Sequence, residues 1–391
     1  MIILGIESSC DDTSVALLDI TDAPTPLNPP FPTRGRDRQG SGETIKILAE
    51  KTANQIEIHK KYGGVVPEIA GRLHAEKILP VVEEVMKNQP KPDVIAVTSG
   101  PGLITGLLVG VETAKTLSYL WNVPIVSVNH IEGHIHSVQV KSRTQGASVF
   151  SEKSKVKSLR YPILSLVASG GHSEIILSTE EGKYERVGGT RDDAAGECFD
   201  KVAKLLGFDY PGGPKISKFA ETGNPKAIKF PRPMINSKNF DFSFSGLKTS
   251  ALYWLHDHKL SAMHTSPIQQ PAGIFGIQKE EITINDFCAS FEQAIVDLLV
   301  FKTLKAIKKY QPKTVILGGG VSANKKLRET LKSEIKLQSP NSLFLIPYSL
   351  YSMDNATMIA VAAYHHAKNK NFTNWQDLQA NPNWKVYEKN T

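Results

Sequence analysis

Two stretches of the chain share one layout, an apolar strand, a short polar turn and a second apolar strand. This repeat restricts the fold more than any other feature. The first copy runs Ile2–Ile6, Glu7–Thr13 and Ser14–Asp19, and the second runs Ile163–Ala168, Ser169–Ser173 and Glu174–Ser178. Each reads as a β-hairpin. Helix and strand patterns alternate after both: a helix near Pro67–Lys87 precedes the buried-type strand Val94–Thr98, and a helix near Asp286–Tyr310 precedes the strand Thr314–Leu317. Mixed strands and helices in two similar halves predict an α/β fold with largely parallel sheets covered by helices. The expected halves are 1–160 and 161–391.

A chain of 391 residues is too large for one small core, and 40% hydrophobic with 22% charged residues is globular composition. No apolar run approaches the ~18–20 residues of a membrane span. Three scattered cysteines, Cys10, Cys198 and Cys288, make no disulfide framework and point to a reducing compartment. The N-terminus opens directly into Ile2–Ile6 with neither a signal-peptide nor a transit-peptide pattern, so the expected location is the cytoplasm. A net charge of +7 suits a polyanionic partner. Three stretches break the periodicity and read as insertions: proline-rich 21–42, basic 140–160 and mixed 256–279. On Ser290–Tyr310, Phe291, Ile295, Leu298, Leu304 and Ile307 form an apolar face, and Lys302, Lys305, Lys308 and Lys309 are expected on a solvated one.

Several motifs carry chemistry. In Asn129-His130-Ile131-Glu132-Gly133-His134, Asn129 suits an N-cap, and His130 and His134 fall at i and i+4 on one helical face, a spacing that can hold one metal ion. The zincin order H-E-x-x-H is absent: Ile131 occupies the general-base slot, and Glu132 lies roughly 200° around the helix. Ser169–Ser173 offers backbone N–H groups to an anion or is a plain turn. Gly318-Gly319-Gly320 leads a strand into a helix start at Ser322 or Asn324, the setting of a ligand at a sheet's carboxyl edge. Asp354 precedes the apolar helix Met358–Ala367 and reads first as its N-cap. Glu7–Thr13 packs three carboxylates, Glu7, Asp11 and Asp12, beside Cys10, for which no thiolate-favouring setting is visible.

Taken together, GIESSCDDTSVA at Gly5–Ala16, KYGGVVP at Lys61–Pro67, SGPG at Ser99–Gly102, the His130–His134 motif, Ser169–His172, DDAAGECFDK at Asp192–Lys201, YPGGP at Tyr210–Pro214, DFSFSGLKT at Asp241–Thr249, Gly318–Asn324 and Asp354-Asn355 resemble the TsaD family of tRNA N6-adenosine threonylcarbamoyltransferases, once called glycoproteases. The resemblance implies a duplicated actin-like fold, shared with hexokinase and heat-shock chaperones, with two subdomains of mixed sheets flanked by helices around a central cleft. It implies a divalent ion, Fe2+ or Zn2+, on His130, His134 and Asp354. It also implies nucleotide-side contacts at Val167, Ala168, Ser169, Gly170, Gly171, Asp200, Gly213 and Asn324. Asp12 stands where the family often has Glu, and Ser173 where it often has Thr.

The implied reaction moves threonylcarbamoyl from threonylcarbamoyl-adenylate to N6 of adenosine 37, in the anticodon loop of tRNAs reading codons that start with A, and releases AMP. Glu7, Asp11 or Asp12 is expected to take the amine proton. Family members act with TsaB-like and TsaE-like proteins, and the apolar residues Ile69, Leu73, Ile78, Leu79 and Val82 suggest a partner face. Rival readings are a tRNA- or partner-binding pseudo-enzyme, a kinase of the same superfold, and a metallopeptidase.

Overall fold

The computed structural model describes residues 1–22, 43–140, 154–155, 159–258 and 282–388. The three expected insertions lie almost wholly outside these residues.

The first sheet contains β1 (Ile2–Glu7), β2 (Asp12–Thr21), β3 (Thr44–Asn54), β4 (Val94–Gly100), β5 (Ile125–Asn129) and β6 (Ser154–Lys155) in the order β5-β4-β1-β2-β3-β6. The second contains β7 (Ile163–Ala168), β8 (Ser173–Glu180), β9 (Lys183–Gly189), β10 (Thr314–Gly318) and β11 (Leu343–Leu345) in the order β11-β10-β7-β8-β9. Both share one plan. The opening hairpin pairs antiparallel, from Ile2↔Asp19 to Glu7↔Ser14 and from Ile163↔Ser178 to Ala168↔Ser173. A third antiparallel strand follows on one side, and two parallel strands flank the first hairpin strand on the other. The repeat in the sequence is thus a repeat in space.

Ten helices are described: α1 (Ile56–His59), α2 (Pro67–Met86), α3 (Ile104–Trp121), α4 (His130–His136), α5 (Ala195–Leu205), α6 (Gly212–Ala220), α7 (Ser245–His258), α8 (Ile284–Tyr310), α9 (Lys325–Gln338) and α10 (Ala356–Lys368). Strand alternation decides what each covers. Leu4, Ile6, Val15 and Leu17 meet Val81, Val82 and Val111 of α2 and α3, whereas Ile3, Ala16 and Leu18 meet Met358 and Ile359 of α10 on the opposite face. In the second half, Leu164, Leu166 and Ile175 pack on α5 and α8, with Phe287 and Phe291 at the centre of the cluster. All strands of the first sheet precede residue 160. After residue 355 the chain returns to that sheet through α10 and a tail in which Thr373 bridges Ile125 and Asn381 donates to the Ser99 carbonyl at 2.7 Å.

Helix α8 corrects one expectation. It starts at a capping box, Thr283 with Asp286, and is buried along most of its length. Lys302 does not sit on a solvated face. It is inaccessible to solvent and donates to Ser237 Oγ at 2.6 Å and the Asn239 carbonyl at 3.1 Å, while Lys305 donates to the Ser237 and Lys238 carbonyls at 2.6 and 2.8 Å.

Candidate active site

Helix α4 starts where β5 ends because the Asn129 side chain accepts the Ile131 N–H at 2.9 Å. Its side chains serve three neighbours. Ile131 and Ile135 enter the apolar layer against the second sheet. Glu132 accepts the Tyr184 hydroxyl at 2.9 Å and lies 3.0 Å from His366 Nε2, which ties α4 to β9 and α10. His130 and His134, one turn apart, meet edge to face with ring centroids 4.7 Å apart.

The two histidines meet Asp354. The expected cap role for Asp354 falls instead to Asn355, whose side chain accepts the Met358 N–H at 2.8 Å and starts α10. Both residue types can cap, and the structure uses the second of the adjacent pair. Asp354 Oδ1 then lies 3.5 Å from His130 Nε2 and 3.2 Å from His134 Nε2. Apart from that approach of Asp354, both ring nitrogens of His134 are buried with no hydrogen-bond partner among the described residues. Leaving such groups unmatched is costly, and a cation would match them. The three ligand atoms lie within 4.8 Å of one another. Donors at about 2.1 Å on opposite sides of one ion are about 4 Å apart, so a small contraction gathers all three. The residues fit a divalent metal.

The surroundings fit it too. Glu7 Oε2 lies 3.1 Å from His130 Nδ1, and Glu7 accepts from the Ser9 N–H and the Thr98 hydroxyl, both at 2.6 Å. A carboxylate behind a ligating imidazole fixes its ring and raises its basicity. Burial pushes the His130 imidazolium down, but Asp354 and Glu7 outweigh it and raise the group to about 10. Against burial, His130 holds the Asp354 carboxyl well below its ordinary range. Burial pushes His134 down. Two carboxylates, Glu7 and Asp354, facing the two imidazoles in a largely buried place favour a cation.

Of the three candidate catalytic carboxylates, Glu7 is fully buried and engaged. Asp12 is pushed up to about 8 by burial and then by Asp11, and accepts Asn54 Nδ2 at 2.6 Å. Asp11 is partly exposed and receives the Tyr210 hydroxyl of the second half at 3.4 Å. Burial lifts its carboxyl as well.

The expected nucleotide-side residues lie around the end of β7 and the starts of α6 and α9. Val167 and Ala168 end β7, and Ser169 closes the turn over Gly170 and Gly171 through its N–H to the His172 carbonyl at 2.7 Å. Asp200 on α5 accepts the Gly212 and Gly213 N–H groups of α6 at 2.7 and 3.3 Å. Asn324 caps α9 at Leu327 and donates to Ser217 of α6 at 3.0 Å and Glu292 of α8 at 2.6 Å. The glycine run joins this cluster to the histidines: a Cβ at Gly318 would lie 3.0 Å from the His134 carbonyl oxygen, one at Gly319 would strike the Ala168 carbonyl, and one at Gly320 would lie 3.3 Å from Met353 Sδ. Gly319 also has φ +82°, open to glycine without strain.

Sequence reasoning named Glu7 only as a candidate base and missed one pairing and one group. Glu7 is the partner of His130, a pairing across 123 residues that no local pattern announces. His172 lies 6.3 Å from the His130 ring, and burial, then His130 and His134, push it down to about 3. Its place in the Ser169–Ser173 turn was the available signal. The structure also gives Glu132 no zincin-type role. Glu132 is occupied by His366 and Tyr184, and the carboxylate beside the two histidines belongs to Asp354.

An actin-like pair of sheets with a His-His-Asp metal-type centre beside a glycine-lined turn defines the class. A family model described as TsaD, tRNA N6-adenosine threonylcarbamoyltransferase, matches residues 46–361. A Listeria monocytogenes protein of that name is 40% identical over 388 residues, covering 97% of this chain and 95% of its own, and one from Bacillus thuringiensis is 39% identical with the same coverage. The chain belongs to the TsaD family and is a transferase acting on tRNA. The crystal structure of HypF from T. kodakarensis superposes with a TM-score of 0.55 at 13% identity, covering 96% of this chain and 49% of HypF, a likeness of fold alone. The chain spans about half of that protein. Among the described residues no helix is long and apolar enough to cross a membrane.

Proposed function

We propose that the protein transfers threonylcarbamoyl from threonylcarbamoyl-adenylate to N6 of adenosine 37 of tRNA and releases AMP. The observation that carries this reading is the junction at Gly318–Gly320, which lies against His134 and Met353, the neighbour of Asp354, on one side and against Ala168 at the end of β7 on the other. A donor with an acyl group and a nucleotide phosphate needs both sites side by side. In the reaction N6 attacks the carbamoyl carbon and a C–N bond forms. The bond from that carbon to the phosphate oxygen breaks, and AMP leaves with its electron pair.

His130, His134 and Asp354 would hold Fe2+ or Zn2+, which would supply positive charge to polarise a carbonyl. Glu7 holds the His130 ring in place. The N–H groups of Gly170 and Gly171 stabilise the leaving phosphate, while that of Ser169 closes the turn on the His172 carbonyl. Asp11 takes the N6 proton, being the partly exposed one of the three, with the Tyr210 hydroxyl at 3.4 Å where Asp12 is buried and holds Asn54 at 2.6 Å. A tRNA acceptor supports a cytoplasmic location.

TsaB-like and TsaE-like proteins complete the system. On α2 the structure buries Ile78 and Val82 in the core but exposes Leu79, and α3 adds exposed Ile104 and Leu108, a surface suited to a TsaB-like partner. Mass analysis of tRNA nucleosides after reaction with the adenylate and both partners should show the modified adenosine with wild type and none with Asp354→Ala. The His130→Ala/His134→Ala protein should lose its metal. Absence of the product from the complete system, or equal metal content in the two proteins, would overturn the reading.

A further inference from the structure

Far from the histidines, a groove of about 530 Å3 opens between β9, the loop around Phe240 and the last turns of α8. Arg186, Lys238, Lys305, Lys308 and Lys309 line it against a single carboxylate, Glu185. Arg186 is paired with Glu174 at 3.0 Å. The four lysines have no ion-pair partner within 4.0 Å among the described residues. Lys305 is held by carbonyl oxygens, as is Lys302 behind it, so neutral dipoles fix these ammonium groups without neutralising them. Lys305 and Lys309 lie 5.7 and 5.4 Å from the Phe240 ring centroid, and Lys309 lies 4.8 Å from that of Tyr310. Charge is therefore concentrated and positioned before any ligand arrives.

Compensation of the α8 dipole accounts for Lys308 and Lys309 in its last turn. It does not account for Lys238, which lies on another segment, or for the ammonium groups stacked on a neutral loop one to two turns earlier. We infer that this groove binds the phosphodiester backbone of the tRNA acceptor. The inference rests on the reading of tRNA as substrate. Position supports it. The segment that leaves the groove at Phe240 pairs at Phe242 with Gly189 and Thr190, and Asp192 next grips Ser243 and Ser245. Helix α5 then begins, and its Gly196 N–H donates to the Ser169 carbonyl at 3.2 Å. These contacts link the groove, segment by segment, to the turn that faces the leaving phosphate.

The test is the salt dependence of tRNA binding by the Lys238→Gln/Lys308→Gln/Lys309→Gln protein, whose three changed side chains are exposed. The control, Lys313→Gln/Lys332→Gln/Lys336→Gln, has the same net charge and also alters exposed positions. The groove variant should bind tRNA about tenfold or more weakly at 0.1 M salt. Its slope of log affinity against log salt should flatten by about 0.7–0.9 for each phosphate that the protein no longer neutralises. In reconstituted transfer its KM for tRNA should rise while kcat holds. Affinity and slope equal to the control's would overturn the groove. A wild type that binds tRNA with the expected groove dependence but never modifies it would overturn the transferase reading alone.

Discussion

Cys10 sits in the turn from β1 to β2, and burial followed by the Asp11 carboxylate pushes its thiol well above the ordinary range. Burial also lifts the Cys198 thiol, and lifts that of Cys288 to about 12. At pH 8 a group at about 12 is ionised on the order of one part in ten thousand, and only the thiolate is nucleophilic. Native protein treated with iodoacetamide at pH 8 should therefore leave all three cysteines unmodified under conditions that alkylate the unfolded chain fully. Rapid labelling of Cys10 would mean that its acidic surroundings are not as described. At this scale the metal-type centre was legible in part. The i, i+4 spacing of His130 and His134 is local, and the family motif supplied Asp354. The choice between Asp354 and Asn355 as cap was not legible, since adjacent residues of like capping ability are distinguished only by how the chain enters the helix. Neither was Glu7's grip on His130, an interaction made by the fold.

The crossing of α3 over the first turn shows what an element requires. Gly106 and Gly110 lie one turn apart on the helix, and Cβ atoms there would strike the Ser8 carbonyl and hydroxyl respectively. Ser8 Oγ donates to the Gly106 carbonyl at 3.0 Å through that gap. Alanine in a helix interior ordinarily gains about 0.5–1 kcal/mol over glycine, but forced overlap in a packed place costs about 1–3 kcal/mol. Because the overlap at Gly106 is with backbone, the second effect should win, and Gly106→Ala should lower the denaturation midpoint. Gly171→Ala, with nothing within 4 Å of the new Cβ, should hardly move it. Equal midpoints for the two variants would contradict the close crossing. Most elements were readable because alternation marks strands and 3.6-residue periodicity marks helices. Lys302 was not, because its partners Ser237 and Asn239 lie some sixty residues away and no helical pattern encodes a loop that folds over a lysine.

The whole molecule is closed by its last residues. Thr373 donates to Ile125 at 2.8 Å on the edge strand β5, Pro382 accepts the Gly102 N–H at 3.2 Å, and the Trp384 carbonyl accepts Asn129 Nδ2 at 3.2 Å, beside the cap of α4. Leu378 is buried in the first half's core. Deleting residues 371–391 should uncover the β5 edge. It should raise amide hydrogen exchange in β4 and β5 and weaken metal retention through Asn129, with the second sheet's exchange unchanged. Uniform exchange across both halves after the deletion would show that the tail is not a local brace. The duplicated architecture was legible from the two hairpins, but this return was not, because a short tail with no strong periodicity does not announce which sheet it will lie on. The return also sets an order of assembly. A ribosome delivers β1 to β5 first, yet among the described residues one face of that sheet gains its helical cover only when α10 emerges, whereas the second sheet and its helices lie between Ile163 and Leu345 and can close as soon as that stretch is out. The half that is synthesised first is the half that finishes last, and through most of translation its apolar face is the part of the nascent chain that chaperones must shield.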